Sequence, residues 1–275
     1  MMCFSGAARF WPAHFFRVAS MSLVLCATSA SAWGQFDLQF TFVDSASTLT
    51  PSQVNIFNNV EAVYESLITG FQPRVTGLTG AVVQVDLDSF SDGLGMNVGQ
   101  GGGFPSGTSN GGFTFFNTNA AGTDFNGILQ LDADDVVSFQ SNPQVFTDVV
   151  FHEVGHALGF GTLWEVNGLL DSSGQYIGSA GLTAYQEEFS LSTATVPTDG
   201  TAVGNARHWS ETSVLGNDIQ SPDLSQTEPN FISKTTIKSF VDLGFTVSLV
   251  HPVPESASAG LLSLGGLLLL NRRRR

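Results

Sequence analysis

"VVFHEVGHALGFGTLW", residues 149–164, holds two of the chain's five histidines, four positions apart, with a glutamate directly after the first. Four residues on an α-helix turn the chain by about 400°, so His152 and His156 project from nearly the same side, one turn apart, where both reach a single ion. The helix that carries them is predicted to start at Asn142, a capping residue, followed by Pro143 at the first helical position. Between Val145 and Phe151 only Thr147 and Asp148 are polar. Apolar residues therefore surround the axis instead of forming one stripe, which is the pattern of a buried, central helix. Gly159 and Gly161 mark its end.

Imidazole suits Zn2+, and Glu153, one residue round the helix, stands beside the position that such a site leaves open to water. That placement gives Glu153 the role of general base, with the ion polarising the carbonyl under attack. The bland alternative is a buried helix with two satisfied histidines; the capped, apolar context favours the metal. A catalytic zinc needs a third protein ligand. The short pattern HExxHxxGxxH would put it at position 162, where Thr162 stands. Beyond the helix only His208 and His251 remain, and His251 adjoins Pro252 and Pro254. His208, in "NARHWSET", is the preferred ligand; Glu187 and Glu188 in "AYQEEF" and Asp171 in "LLDSSG" are carboxylate alternatives.

The two ends of the 275-residue chain read as addresses. Arg9 and Arg17 precede an apolar run at residues 18–27, and Ala30-Ser31-Ala32 offers a small-residue cleavage site, so residues 1–32 read as a secretory signal peptide. Both cysteines, Cys3 and Cys26, lie inside it, so no disulfide is expected in residues 33–250. Residues 251–275 contain Pro254-Glu255, fourteen residues from Ala257 to Leu270 that are mostly apolar, and Arg272 to Arg275. The apolar part is shorter than the ~20 residues a spanning helix usually needs. This tail resembles the PEP-CTERM sorting signal of exosortase-processed surface proteins, with Ser256 where that signal has its second proline. The resemblance implies export, contact with the membrane through the tail before processing, and a bacterial surface or extracellular destination.

Only four of the ten Lys and Arg residues (Arg74, Arg207, Lys234 and Lys238) fall between residues 33 and 250, whereas all 24 carboxylates lie from Asp37 to Glu255. So acidic a surface disfavours nucleic acid, because phosphate contacts need basic groups. Divalent cations fit it better; Asp92 and Asp124 in the Gly- and Asn-rich stretch 91–127 are candidates for Ca2+, although no EF-hand spacing is present.

Elsewhere, alternation predicts strands at 36–43, 81–87 and 128–131, and a helix opening at Thr50-Pro51 and ending near Gly70. Residues 91–127 read as a long loop with one short strand at 113–116, and residues 132–135 as a turn. Ser233 caps a last helix that Gly244 ends, before a strand at 245–250. Trp164 and Tyr185 are candidates for the groove, though aromatics of this kind are more often core. The class is α+β.

Taken together, HEVGHALGFGTLW at 152–164, the separated His208-Trp209 and "FISKTTIKSFVDLGFTV" at 231–247 resemble the bacterial leishmanolysin-like zinc metallopeptidases, with weaker similarity through "GILQLDADDV". The resemblance implies a two-lobed metzincin-type domain over residues 33–250, its first lobe ending near 161 and its second running from 162. His152, His156 and His208 are then the zinc ligands, Glu153 the general base, and peptides or proteins the substrate. The family sets a methionine beneath the metal after the third histidine; here "NDIQSP" occupies that place, with Gln220 where the methionine would stand. That departure and the sorting tail motivate a rival expectation, a surface matrix or adhesion protein that keeps the scaffold without turnover.

Overall fold

Apolar side chains at every second position of Leu38–Val43 and Ala81–Leu87 are what a strand with one buried face requires. In the computed structural model, residues 35–249 are described except 44–48, 91–93, 95–97, 104–106, 203 and 226–229; the predicted signal peptide and the tail 251–275 lie outside the described residues. The two predicted strands form as β1 (Asp37–Val43) and β3 (Gly80–Phe90). They run parallel, with Leu38 beside Ala81 and Phe40 beside Val83. β3 also pairs in parallel with β7 (Asp124–Asp132), and β7 pairs antiparallel with β4 (Gly99–Gly103), giving the sheet order β1-β3-β7-β4. Leu38, Val83, Val85, Phe125, Leu129 and Leu131 are wholly buried on one face, whereas Val82, Asp86, Asn126 and Gln130 are half-buried on the other.

Two helices cover the apolar face. α1 (Pro51–Leu67) starts in a capping box, with Thr50 accepting from the Gln53 backbone and the Gln53 side chain accepting from the Thr50 N–H. It ends at Leu67, before Gly70, because the chain turns directly into β2 (Ile68–Phe71). α3 (Pro143–Ala157) is the predicted central helix, capped by the Asn142 side chain as expected. Tyr64 of α1 stacks on Phe151 of α3 at 4.3 Å and donates its hydroxyl to the Phe151 carbonyl at 2.8 Å. Phe57 and Phe146 meet edge to face, so α1 sets the position of α3 at two heights.

The stretch read as one long loop is more structured than expected. Besides β4 it contains the hairpin β5 (Thr108–Asn110) and β6 (Phe113–Phe115), and β7 begins four residues before the predicted start. β4 is nearly all glycine, "GQGGG", so it offers no apolar alternation from which a strand can be read. Its glycines serve packing: a side chain at Gly101 would overlap the Glu153 carbonyl, and one at Gly103 the Phe116 ring. Residues 133–138, partly read as a turn, form α2 (Ala133–Ser138), because Asp132 accepts from the backbone N–H groups of Asp134 and Asp135 and caps it.

After α3 the chain turns through Gly159 and Gly161, both at positive φ, where only glycine is unstrained. Phe160, Trp164, Tyr176 and Trp209 then close an aromatic cluster, with Trp164 and Trp209 centroids 4.9 Å apart. α4 (Ser179–Phe189), which no signal announced, lies against α5 (Lys234–Asp242). The Asp242 carboxylate caps α4 through the Ala180 and Gly181 N–H groups. Ser233 caps α5, and β8 (Phe245–Val247), shorter than predicted, pairs with β2 and returns the second half of the chain to the first. The architecture is α+β, with a mixed sheet. Among the described residues no helix is long and apolar enough to cross a membrane.

The glycine contacts give a paired prediction. Gly101→Ala should lower stability by about 1–3 kcal/mol through overpacking, whereas Gly102→Ala, which would meet only the Thr162 methyl at 3.7 Å, should change it by less than about 0.5 kcal/mol. Urea unfolding of the two variants beside the parent checks both.

Candidate metal centre

His152, Glu153 and His156 lie on the last two turns of α3, each 5–6% exposed. His208 comes from a separate arm in which Thr198 and Trp209 form a bridge and the Asp199 N–H donates to the His208 carbonyl. Each imidazole is held by its Nδ1: His152 at 2.7 Å from the Ile219 carbonyl, His156 at 2.9 Å from the Phe160 carbonyl, His208 at 2.7 Å from Asp199 Oδ2. A carbonyl only accepts, and an ionised carboxylate only accepts, so these contacts place the proton on Nδ1. The three Nε2 lone pairs are left facing one another.

His156 Nε2 is 3.1 Å from His152 Nε2 and 3.0 Å from His208 Nε2. The three ligand atoms lie within 4.8 Å of one another, and these residues form the group able to hold a metal ion among the described residues. Tetrahedral bonds of about 2.0–2.1 Å would set the nitrogens about 3.3–3.4 Å apart, within a few tenths of an ångström of the two distances that His156 makes. Three convergent acceptors with no proton between them are a favourable arrangement only around a cation. The donor set fits a divalent metal of the kind that takes imidazole.

Electrostatics agree with that tautomer. Burial pushes His152 down to about 3, with the neighbouring His208 adding to the shift and the Ile219 carbonyl opposing it. Burial, with His152 and His208 nearby, holds His156 well below its ordinary value. Partial burial would raise Asp199, but hydrogen bonds from the His208 side chain and from the His208 and Arg207 backbone outweigh it and leave the carboxyl below the usual range. In the metal-free protein, burial pushes Glu153 up to about 8, partly offset by the Gly101 backbone N–H donating to its carboxylate. β4 thus touches the proposed base directly.

Gln220 packs against α3 beside His152 and Gly155. It is wholly buried; its Nε2 donates to the His152 carbonyl at 3.1 Å, and a side chain at Gly155 would overlap its amide. Its Oε1 has no partner among the described residues, which at this depth costs about 1–3 kcal/mol. The neighbouring Asp218 accepts from the Gln220 N–H, the Ser233 N–H and the Thr236 hydroxyl, and burial pushes it up to about 6 against those bonds. Trp209 donates its indole N–H to the same Thr236 hydroxyl, tying the residue next to His208 to the start of α5.

The carboxylate alternatives are engaged elsewhere. Glu188 caps α5 through the Lys234 and Thr235 N–H groups, Asp171 accepts from Ser173 and Gln175, and Glu187 is exposed on α4. His251 and Asp92 lie outside the described residues, and Asp124 bonds Thr79, Asn119 and Thr123. Trp164 is core, and Tyr185 is buried against Phe189. The sequence reading missed Asp199, Gly101, Gly155 and the Ile219 carbonyl. The glycine run 99–103 is a legible signal of close backbone approach; Asp199, nine residues from His208, has none.

His152, Glu153, His156 and His208 open together onto a cleft of about 980 Å³, walled by β4, α3 and the segment 222–224.

Asp199→Asn should weaken zinc binding about tenfold to hundredfold while leaving the three ligands in place, since outer partners of metal-bound histidines contribute on that scale; competition with a chromophoric chelator measures it. Glu153 gives a second expectation. Its raised value keeps it protonated at pH 7, so metal-free stability falls as pH rises from 4.5 to about 8. A dication alongside favours the carboxylate, so the Glu153 proton leaves when metal binds and affinity climbs with pH across this range. Calorimetry at pH 7 in buffers of different ionisation enthalpy should find about one proton fewer released in Glu153→Gln than in the parent.

Compared with models of known protein families the chain matches none, and no curated protein matches it, so the assignment of this centre rests on its own geometry.

Proposed function

We propose that the chain is an exported zinc-dependent endopeptidase of metzincin type, similar to the bacterial leishmanolysin-like enzymes, with His152, His156 and His208 holding the ion and Glu153 as general base. The observation that carries this reading is the convergence of three Nδ1-anchored imidazoles beside a buried carboxylate on the floor of an open cleft. When bound, zinc supplies Lewis acidity to the peptide carbonyl and to the attacking water. Glu153 accepts a proton from that water at its carboxylate and returns it to the departing amine nitrogen. The Gly101 N–H beside the carboxylate favours its ionised form. Burial of the two helix histidines keeps them neutral, so they compete for no proton during the cycle.

β4 supports a peptide substrate in particular. It is the edge strand of the sheet, and residues 98–101 line the cleft. An extended peptide laid along that edge gains main-chain hydrogen bonds, while the glycines keep side chains out of its path to Glu153. The rival reading of a scaffold without turnover drew on Gln220; its bond to the His152 carbonyl supports a holding role for that amide instead. Export through residues 1–32, and surface placement with exosortase-type processing at 251–275, belong to the same proposal and rest on the sequence of those segments.

Glu153→Gln should retain one zinc per chain and lower kcat by about 10²–10⁴, and chelation should abolish cleavage until zinc is restored. Parent protein with stoichiometric zinc that cleaves nothing in a broad peptide library, and is indistinguishable from Glu153→Gln, would return the chain to the non-catalytic reading.

A further inference from the structure

Arg207, the residue before His208, is the one Lys or Arg among the residues lining the cleft. Of the three other cations between residues 33 and 250, Arg74 lies over the Phe113 ring at 4.1 Å, and Lys234 and Lys238 belong to α5. A chain of formal net charge −14 therefore sets a cation beside its proposed reaction centre. The side chain is held in place: Nη1 donates to the Gly161 carbonyl at 3.3 Å and to the Ala206 carbonyl at 3.4 Å. Gly161 permits this because any side chain there would overlap the Arg207 backbone.

Two neutral carbonyls hold the guanidinium, and no carboxylate pairs with it among the described residues. The nearest one along the arm, Asp199, is already engaged, accepting the Arg207 N–H at 2.8 Å and the His208 N–H at 3.0 Å at Oδ1, and the His208 ring at 2.7 Å at Oδ2. Nε and Nη2 make no hydrogen bond among the described residues and remain as a donor pair in the fork geometry that matches a carboxylate. The other charged lining side chains, Asp135, Glu153 and Asp223, are acidic, so apart from the metal centre Arg207 is the one lining group whose charge attracts a substrate carboxylate.

The geometry points to Arg207 as the carboxylate-recognising residue of the cleft, binding either an acidic side chain close to the scissile bond or the C-terminal carboxylate of a peptide. This rests on the peptidase reading above and narrows its substrate class. An acidic side chain makes the enzyme an endopeptidase with one acidic subsite; a terminal carboxylate makes it trim peptides from their C-terminus.

The test uses the full chain with zinc and quenched-fluorescence peptides in which each position carries Glu or Gln, each made with a free or an amidated C-terminus. Parent protein should favour the carboxylate at one position about tenfold to hundredfold in kcat/KM, the range for hydrogen bonds to a charged partner. Arg207→Gln should bring that ratio to about one, and Arg207→Lys should keep part of it, since an ammonium retains the charge without the fork. A preference that follows the free C-terminus identifies the terminal carboxylate; one that follows Glu identifies the side chain. No preference at any position, or equal loss on acidic and neutral peptides in Arg207→Gln, overturns the assignment. Anisotropy binding of the same peptides to zinc-loaded Glu153→Gln separates this from the peptidase reading. Should the parent cleave nothing, tighter binding of the carboxylate peptide that vanishes on adding Arg207→Gln still supports the assignment, and equal binding overturns it.

Discussion

Three imidazoles bring their unprotonated Nε2 atoms within 4.8 Å of one another, with that of His156 about 3 Å from each of the other two, and the rest of the domain is arranged around keeping them there. Each ring is held from behind at Nδ1, and the three holders come from three places: the turn after the central helix, the loop at Ile219 and the turn at Asp199. Two of them are main-chain carbonyls, so the backbone path itself, more than any side chain, decides the tautomer. Moving one of these segments by an ångström would free a ring to rotate and dissolve the convergence.

The second constraint is how closely the edge strand approaches the helix. Gly99 and Gly101 allow its backbone to lie directly on Glu153, so that a main-chain N–H reaches the carboxylate. Strand residues with side chains would hold the sheet farther away and leave that carboxylate to find another donor. The same bareness leaves the free edge of the strand open to the cleft. A glycine run poor in β propensity is tolerated here because the parallel core of the sheet and the packed pair of helices carry the stability instead.

His152, Glu153 and His156 were legible because helical period alone puts residues four apart on one side, whatever surrounds the helix. The choice of His208 was legible by scarcity, since few histidines remained. Strands β1 and β3 and the caps Thr50, Asn142 and Ser233 were legible from alternation and capping chemistry, which are local. β4 was not, because five residues with four glycines carry no pattern, and α2 and α4 were missed, the one short and the other without a strong cap. Asp199 was hidden for another reason: its partner is nine residues away across a turn, and no periodicity connects them.

By itself, then, the sequence determined the class of the fold, the central helix, and two histidines with a glutamate in fixed relation, since each follows from geometry within a single element. Only the tertiary structure decided which distant residue joins them, which groups hold the rings, where Gln220 packs, and that Arg207 stands without a carboxylate partner among the described residues. Those are contacts between segments far apart in the chain, brought together by burial of the aromatic cluster around Trp209 and by the return of β8 to β2. Such contacts depend on the packed interior as a whole, and no local pattern encodes them.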